Sequence, residues 1–177
     1  MALTYGSRAR DSARMKSALL LPVFTVCLWC AADPRAAAEA NAGLALAREG
    51  KYEQAISHYR AALKLDPAMP GLHLNLGLAY VKLNRLADAI PPFERAMKAD
   101  PGNFQAQVLL GMSYYGTRRF ADAAAQLQRA TEQQPDNIEL RFKLAQSYLW
   151  SKQYEAAKGE FRLCLPGIRI PRPCICS

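Results

Sequence analysis

A step of 34 residues runs through this chain, and it dictates the kind of structure the chain can adopt. Gly43, Gly77, Gly111 and Ala145 stand one step apart, as do Leu46, Tyr80, Tyr114 and Tyr148. Ala55, Ala89, Ala123 and Ala157 form a third column, and Ala62, Ala96, Ala130 and Cys164 a fourth. Asp66-Pro67 and Asp100-Pro101 recur in the same phase, with Gln134-Pro135 a near match. Alanine is common here, so one column alone carries little weight, but several columns in a single register do not arise by chance. A fixed period of this size marks an array of stacked units, none of which buries its apolar face alone.

The residue types give each unit its shape. The small residue of the first column and the alanine of the third read as a crossing point, because two helices approach closely only where the contact carries almost no side chain. The aromatic or leucine column fills the space beside that crossing, and Leu76, Leu110 and Leu144 supply aliphatic core. Each proline pushes the residue before it away from helical angles and so ends the second helix of a unit. The turns Glu49-Gly50-Lys51, Asn84-Arg85 and Thr117-Arg118-Arg119 are short enough to force antiparallel hairpins. The spacing predicts helices over 36–49, 52–65, 70–83, 86–99, 104–117, 120–133, 138–151 and 154–165. Pro91-Pro92 falls inside the fourth of these. Pro92 lies beyond the first turn and predicts a local bend or a delayed start.

The columns resemble the tetratricopeptide repeat. Its series of a leucine–glycine pair, tyrosine, alanine, aromatic, alanine and proline is met by Leu76-Gly77, Tyr80, Ala89, Phe93, Ala96 and Pro101. The third unit supplies Leu110-Gly111, Tyr114, Ala123, Leu127, Ala130 and Pro135, and the first Ala42-Gly43, Leu46, Ala55, Tyr59, Ala62 and Pro67. The fourth keeps Leu144-Ala145, Tyr148, Ala157, Phe161 and Cys164, then loses the pattern. The expectation is a bacterial, exported member of the family, with export resting on the N-terminal segment, residues 1–35. Its fold would be all-α, an α-solenoid of about four antiparallel helix hairpins in a right-handed superhelix. Repeats would occupy 36–69, 70–103, 104–137 and, incompletely, 138–165.

The ends are different material. Residues 1–35 read as a signal peptide or an N-terminal anchor: Arg8, Arg10, Arg14 and Lys16 precede an apolar run from Ala18 to Trp29, followed by Ala31 and Ala32. The run is short for a membrane span, which takes about 20 apolar residues. Cys30 meets part of a lipidation pattern, although Trp29 stands where that pattern has a small residue. Residues 166–177 form an irregular tail. Pro166-Gly167 breaks the last helix where a capping helix would shield the final apolar face, so the tail reads as a natural end or as a truncation or frame change. Cys164, Cys174 and Cys176 would be able to pair in an oxidising compartment.

Charge excludes one class of partner. The net charge of +8 owes much to Arg8, Arg10, Arg14, Lys16, Arg169 and Arg172, all outside the repeats. The repeat body is close to neutral and lacks the basic stripe that nucleic-acid binding needs. No histidine pair, phosphate loop or nucleophile motif is present, so the sequence predicts no catalytic residue, no metal and no cofactor. His58 and His73 read as packing or surface residues, and Glu49, Glu53 and Glu94 as exposed charges.

In the family, the first helix of each hairpin lines a concave groove that takes an extended peptide or a partner helix. The resemblance places Leu74, Asn75, Leu78 and Lys82 in that groove, then Val108, Leu109, Met112 and Tyr115, then Phe142, Lys143, Gln146 and Trp150. Leu78 and Val108 are the members expected to be most buried. The family's carboxylate clamp is absent: Asn75 matches one position, but Ala40, Leu44, Gln105 and Leu109 hold the rest. The expectation is a non-enzymatic scaffold for a protein or peptide partner, exported to the periplasm, envelope or exterior, with membrane contact only through the N-terminal segment. Two alternatives stand beside it. One is a fragment of a larger repeat protein that self-associates through an uncapped C-terminal end, and the other is a regulatory arm of an enzyme or transport assembly.

Overall fold

The computed structural model describes residues 33–69 and 71–164. Among them the chain is all-α, in eight helices: α1 (Pro34–Arg48), α2 (Tyr52–Leu65), α3 (Leu72–Lys82), α4 (Leu86–Ala99), α5 (Phe104–Gly116), α6 (Phe120–Gln133), α7 (Ile138–Trp150) and α8 (Tyr154–Cys164). Each packs on the next in sequence, which makes a solenoid of hairpins. None of the described helices is long and apolar enough to cross a membrane. The spans of α2, α4 and α6 coincide with those expected, and the other ends differ by no more than two residues.

The 34-residue period is visible in the backbone itself. Just past each first helix one residue turns left-handed: Gly50 (φ 79°), Asn84 (56°), Arg118 (61°) and Lys152 (65°). The following amide then reaches back to the carbonyl of the aromatic column. Lys51 N donates to Leu46 O at 2.9 Å, Arg85 N to Tyr80 O at 2.9 Å, Arg119 N to Tyr114 O at 2.9 Å, and Gln153 N to Tyr148 O at 2.8 Å. A left-handed cap of this kind satisfies the last carbonyls of a helix while reversing the chain. Between hairpins the aspartates act instead. Asp66 and Asp100 leave helical angles, and their carboxylates accept from Ala68 N at 3.0 Å and Gly102 N at 3.1 Å. Asn103 and Asn137 then cap α5 and α7 by accepting from Ala106 N and Leu140 N.

Packing refines the reading of the small column. A Cβ at Gly43 would stand 2.6 Å from the Tyr59 ring, and one at Gly111 2.9 Å from Leu127. At Gly77 it would collide with the edge of the Phe93 ring. The glycines therefore make room for the large residue of the second helix, and the alanine column lies beside this contact: Ala55, Ala89 and Ala123 are wholly buried. Tyr59, Phe93 and Leu127 are sealed against the glycine backbones, where burial of each side chain contributes about 1.5–3 kcal/mol.

Pro91-Pro92 does not delay α4, which begins at Leu86 and runs through both prolines. The carbonyls that lose their helical donors belong to Ala87 and Asp88, both exposed, so water can satisfy them. Pro92 itself is buried beside Phe93 on the apolar face of the helix.

Candidate binding face on the first helices

None of the twelve expected groove residues is buried. Leu74, Asn75 and Leu78 on α3 are half-buried and Lys82 is exposed. On α5, Val108, Leu109 and Tyr115 are half-buried and Met112 is exposed, and on α7 Lys143 and Gln146 are half-buried while Phe142 and Trp150 are exposed. Leu78 and Val108 pack against the two core clusters, but so do Leu74, Leu109 and Tyr115, and neither residue is set apart from its neighbours.

The structure brings Met112, Tyr115, Lys143, Gln146 and Trp150 of α5 and α7 together, whereas Phe142 turns to Phe161 of α8, edge-on at 5.7 Å. Tyr115 and Lys143 both donate to Gln146 Oε1, each at 3.4 Å, and Lys143 Nζ lies 5.3 Å from the Tyr115 ring centre. A cation over a ring face gains about 0.5–1 kcal/mol at such an exposed site. Tyr115 meets Phe120 edge-on at 5.5 Å, and Phe120 stacks on Trp150 at 5.8 Å. Beside this shelf a cleft of about 200 Å³ is lined by Phe104, Val108, Met112, Leu140 and Lys143 among others. The α3 members add apolar surface: Leu74 and Leu78 pack on the same core cluster as Leu109 and Tyr115, while among the described residues Asn75 and Lys82 make no side-chain hydrogen bond. Phe120 and Phe104 were not expected. Phe120 opens a second helix, whereas the groove reading considered first helices alone. The recurrence of Tyr52, Leu86, Phe120 and Tyr154 at one phase was the available signal.

The polar groups that sequence left as bland surface are partly structural. His58 Nδ1 lies 2.7 Å from Glu39 Oε2 and ties α2 to α1. His73 is buried, and its Nε2 donates to the Pro67 carbonyl at 3.1 Å. Glu94 is not a free surface charge, because it accepts the Tyr114 hydroxyl at 2.6 Å. Burial, helped by that carboxylate, pushes the Tyr114 phenol up to about 12. One step later Tyr148 donates to Gln128 at 2.9 Å in the same geometry. Arg141 and Glu160 pair at 2.9 Å between α7 and α8. Cys164 is a free, buried thiol that donates to the Ile138 carbonyl at 3.8 Å, and burial raises its pKa. Its suggested partners Cys174 and Cys176 lie outside the described residues, as do Cys30 and the apolar run before it. No group of three or more His, Cys, Asp or Glu among the described residues is arranged to hold a metal.

Solved structures share this architecture. MamA from Desulfovibrio magneticus is 24% identical over 73% of this chain and 73% of its own, with a TM-score of 0.64. YrrB, described as a TPR protein with an unusual peptide-binding site, is 23% identical over 73% of this chain and 66% of its own, with a TM-score of 0.66. The first TPR of Spaghetti, solved with an HSP90 peptide, is 24% identical over 67% of this chain and 94% of its own, with a TM-score of 0.59. No curated protein matches the chain in sequence. The model of the TPR repeat matches residues 43–84, and the tetratricopeptide repeat model matches 84–136 and 114–163. Together these matches span most of the described helices, and the chain belongs to the tetratricopeptide repeat family.

Proposed function

We propose that the chain is a non-enzymatic scaffold that binds a segment of a partner protein on the face formed by α3, α5 and α7. One observation carries this reading: Met112 and Trp150 are 37% and 60% exposed on neighbouring helices, beside Lys143 and Gln146. Large apolar side chains left in water next to fixed polar groups suit an anchor-in-groove contact, with aromatic residues contributing most of the binding energy. Peptide complexes of other members of the fold, such as that of Spaghetti, agree with this reading. The near-neutral repeat body argues against nucleic acid as the partner.

Export forms part of the proposal and rests on the basic, apolar and small-residue order of residues 1–35. Intact mass of the protein recovered from its native host tests it. Loss of the N-terminal segment supports export, and retention in a soluble cytoplasmic form overturns it.

The binding reading is tested by photo-crosslinking in cells from position 112, with position 128 on a second helix as control. A discrete adduct from 112 alone, lost in Trp150→Ala, is expected. Adducts of equal yield from both positions would overturn it. A second reading, self-association through the last hairpin, is favoured by Ile138, Tyr154 and Leu163, each about 60% exposed. Light scattering across a concentration series separates the two, since only self-association raises the mass with concentration.

A further inference from the structure

Two clefts on the side of the second helices are related by the 34-residue step, and neither contains any of the twelve groove residues. One, of about 560 Å³, lies between α2 and α4 over α3, and the other, of about 610 Å³, lies between α4 and α6 over α5. Eight of the eleven residues lining each cleft correspond by that step, yet the chemistry differs.

In the α4–α6 cleft acids and bases are equal in number. Glu94 accepts from Tyr114 and Gln107 accepts from Gln133 at 2.9 Å, and Glu94 and Glu132 offset the charge of Lys98 and Arg129, although no ion pair among the described residues joins them. In the α2–α4 cleft arginine replaces Glu94: Arg60 stands 5.7 Å from the Tyr80 ring centre instead of taking part in a hydrogen bond. Arg60, Lys64 and Arg95 are all exposed there, and no carboxylate among the described residues pairs with them. The acid in the lining, Asp88, is already held by Arg85 at 2.6 Å. His73 takes the place of Gln107. It is only 9% exposed, and with Nε2 committed to Pro67 its Nδ1 has no partner.

We propose that the α2–α4 cleft is a second binding surface, which takes an acidic segment of a partner protein. Its carboxylates would sit on Arg60, Lys64 and Arg95, and its aliphatic side chains against Leu63 and Pro91. Uncompensated like charges gathered in one cleft attract and orient an opposite charge, and such complementarity governs the encounter and its specificity. Nucleic acid fits the same cations poorly. Tyr80 is 3% exposed and offers no face for base stacking, and three cations neutralise little of a phosphate backbone.

The test is fluorescence anisotropy on the full chain with a fluorescein-labelled peptide of alternating glutamate and leucine. Saturable binding is expected, weakened about tenfold or more by Arg60→Glu with Arg95→Glu and by raised salt. The milder pair Arg60→Gln and Arg95→Gln should weaken it in the same direction, with unchanged circular dichroism showing an intact fold. Lys98→Glu with Arg129→Glu, the matching change in the other cleft, should leave it unaltered, as should Trp150→Ala. Four results would overturn the proposal: no saturable binding, equal loss from both charge-reversed pairs, loss in Trp150→Ala, or oligouridylate binding as tightly as the peptide. The readout is independent of the groove, so either surface can fail without the other.

Discussion

The second and fourth hairpins share one sequence pattern and differ in how far it is buried. In the second, Leu76 and Tyr80 lie in the core and Phe93 closes over Gly77 with no exposed surface. In the fourth, Leu144 is equally buried, but Ala145 replaces the glycine and Phe161 is only half-buried, turned edge-on to Phe142 at 5.7 Å. Ile138, Trp150, Tyr154 and Leu163 of the same hairpin are exposed. The pattern is enough to build a hairpin, whereas the aromatic is sealed where a glycine stands opposite it.

The sharpest way to break this comparison is to remove the two aromatics. Phe93→Ala is expected to cost about 3–5 kcal/mol, the range for emptying a sealed aromatic site. Phe161→Ala, already half in water, should cost a fraction of that. Urea unfolding of each variant measures the difference, and equal midpoints would show that α8 is as well packed as α4.

The glycine itself is the next lever. Gly77→Ala should gain about 1 kcal/mol of helix propensity, yet lose about 1–3 kcal/mol by forcing Phe93 off the α3 backbone, for a net destabilisation. Ala145→Gly, the reciprocal change, should lose helix propensity and regain part of it as the Phe161 ring settles. A thermal melt of Gly77→Ala at or above the wild-type midpoint would mean that the ring moves freely and that the small column is not what admits it.

This is also where the sequence stops being legible. Helix ends were readable because each is punctuated by a residue with a local physical reason, such as Asp100-Pro101 or the left-handed Asn84. The faces of α5 and α7 were readable because burial follows helical period. Contacts between charged or polar groups were not. Glu94 looks like any exposed helical carboxylate until α5 brings Tyr114 across from 20 residues away. The same holds for His58 with Glu39 and for Arg60 with Tyr80. Such pairs depend on how one helix leans on its neighbour, which the period implies but does not specify. Phe120 was missed for a related reason: its aromatic contacts link Tyr115 of its own hairpin to Trp150 of the next.

The tyrosine column gives a smaller effect with a defined pH dependence. The Tyr114 phenol is raised to about 12 by burial and by the Glu94 carboxylate. Between its ordinary value near 10 and the folded value, the unfolded chain releases a proton that the folded chain keeps, so stability falls as pH rises through that window. Below it the contribution is fully present. Tyr114→Phe should cost about 1 kcal/mol at neutral pH through the lost hydrogen bond. It should also flatten the alkaline limb of the stability profile. An unchanged limb, followed by denaturant midpoints and tyrosinate absorbance, would show that Tyr114 does not titrate with folding.

The smallest expected effect separates the hairpins at their turns. The first hairpin places Gly50 in the left-handed position, the second an asparagine, and the last two Arg118 and Lys152, at φ 61° and 65°. A side chain there strains the backbone by roughly 1–2 kcal/mol, part of which glycine gives back as entropy lost on folding. Arg118→Gly and Lys152→Gly should each therefore stabilise the fold by about 0.5–1 kcal/mol, with Asn84→Gly giving less because asparagine tolerates the conformation. Where the gain appears also matters. If the fourth hairpin frays independently, Lys152→Gly should slow amide exchange in α7 and α8 while leaving α3 and α4 unchanged, whereas Arg118→Gly, in the middle of the array, should slow exchange on both sides of it. Uniform protection from both variants would make the array a single cooperative unit, and the looser packing around Phe161 would then be a local feature of a hairpin as stable as the rest.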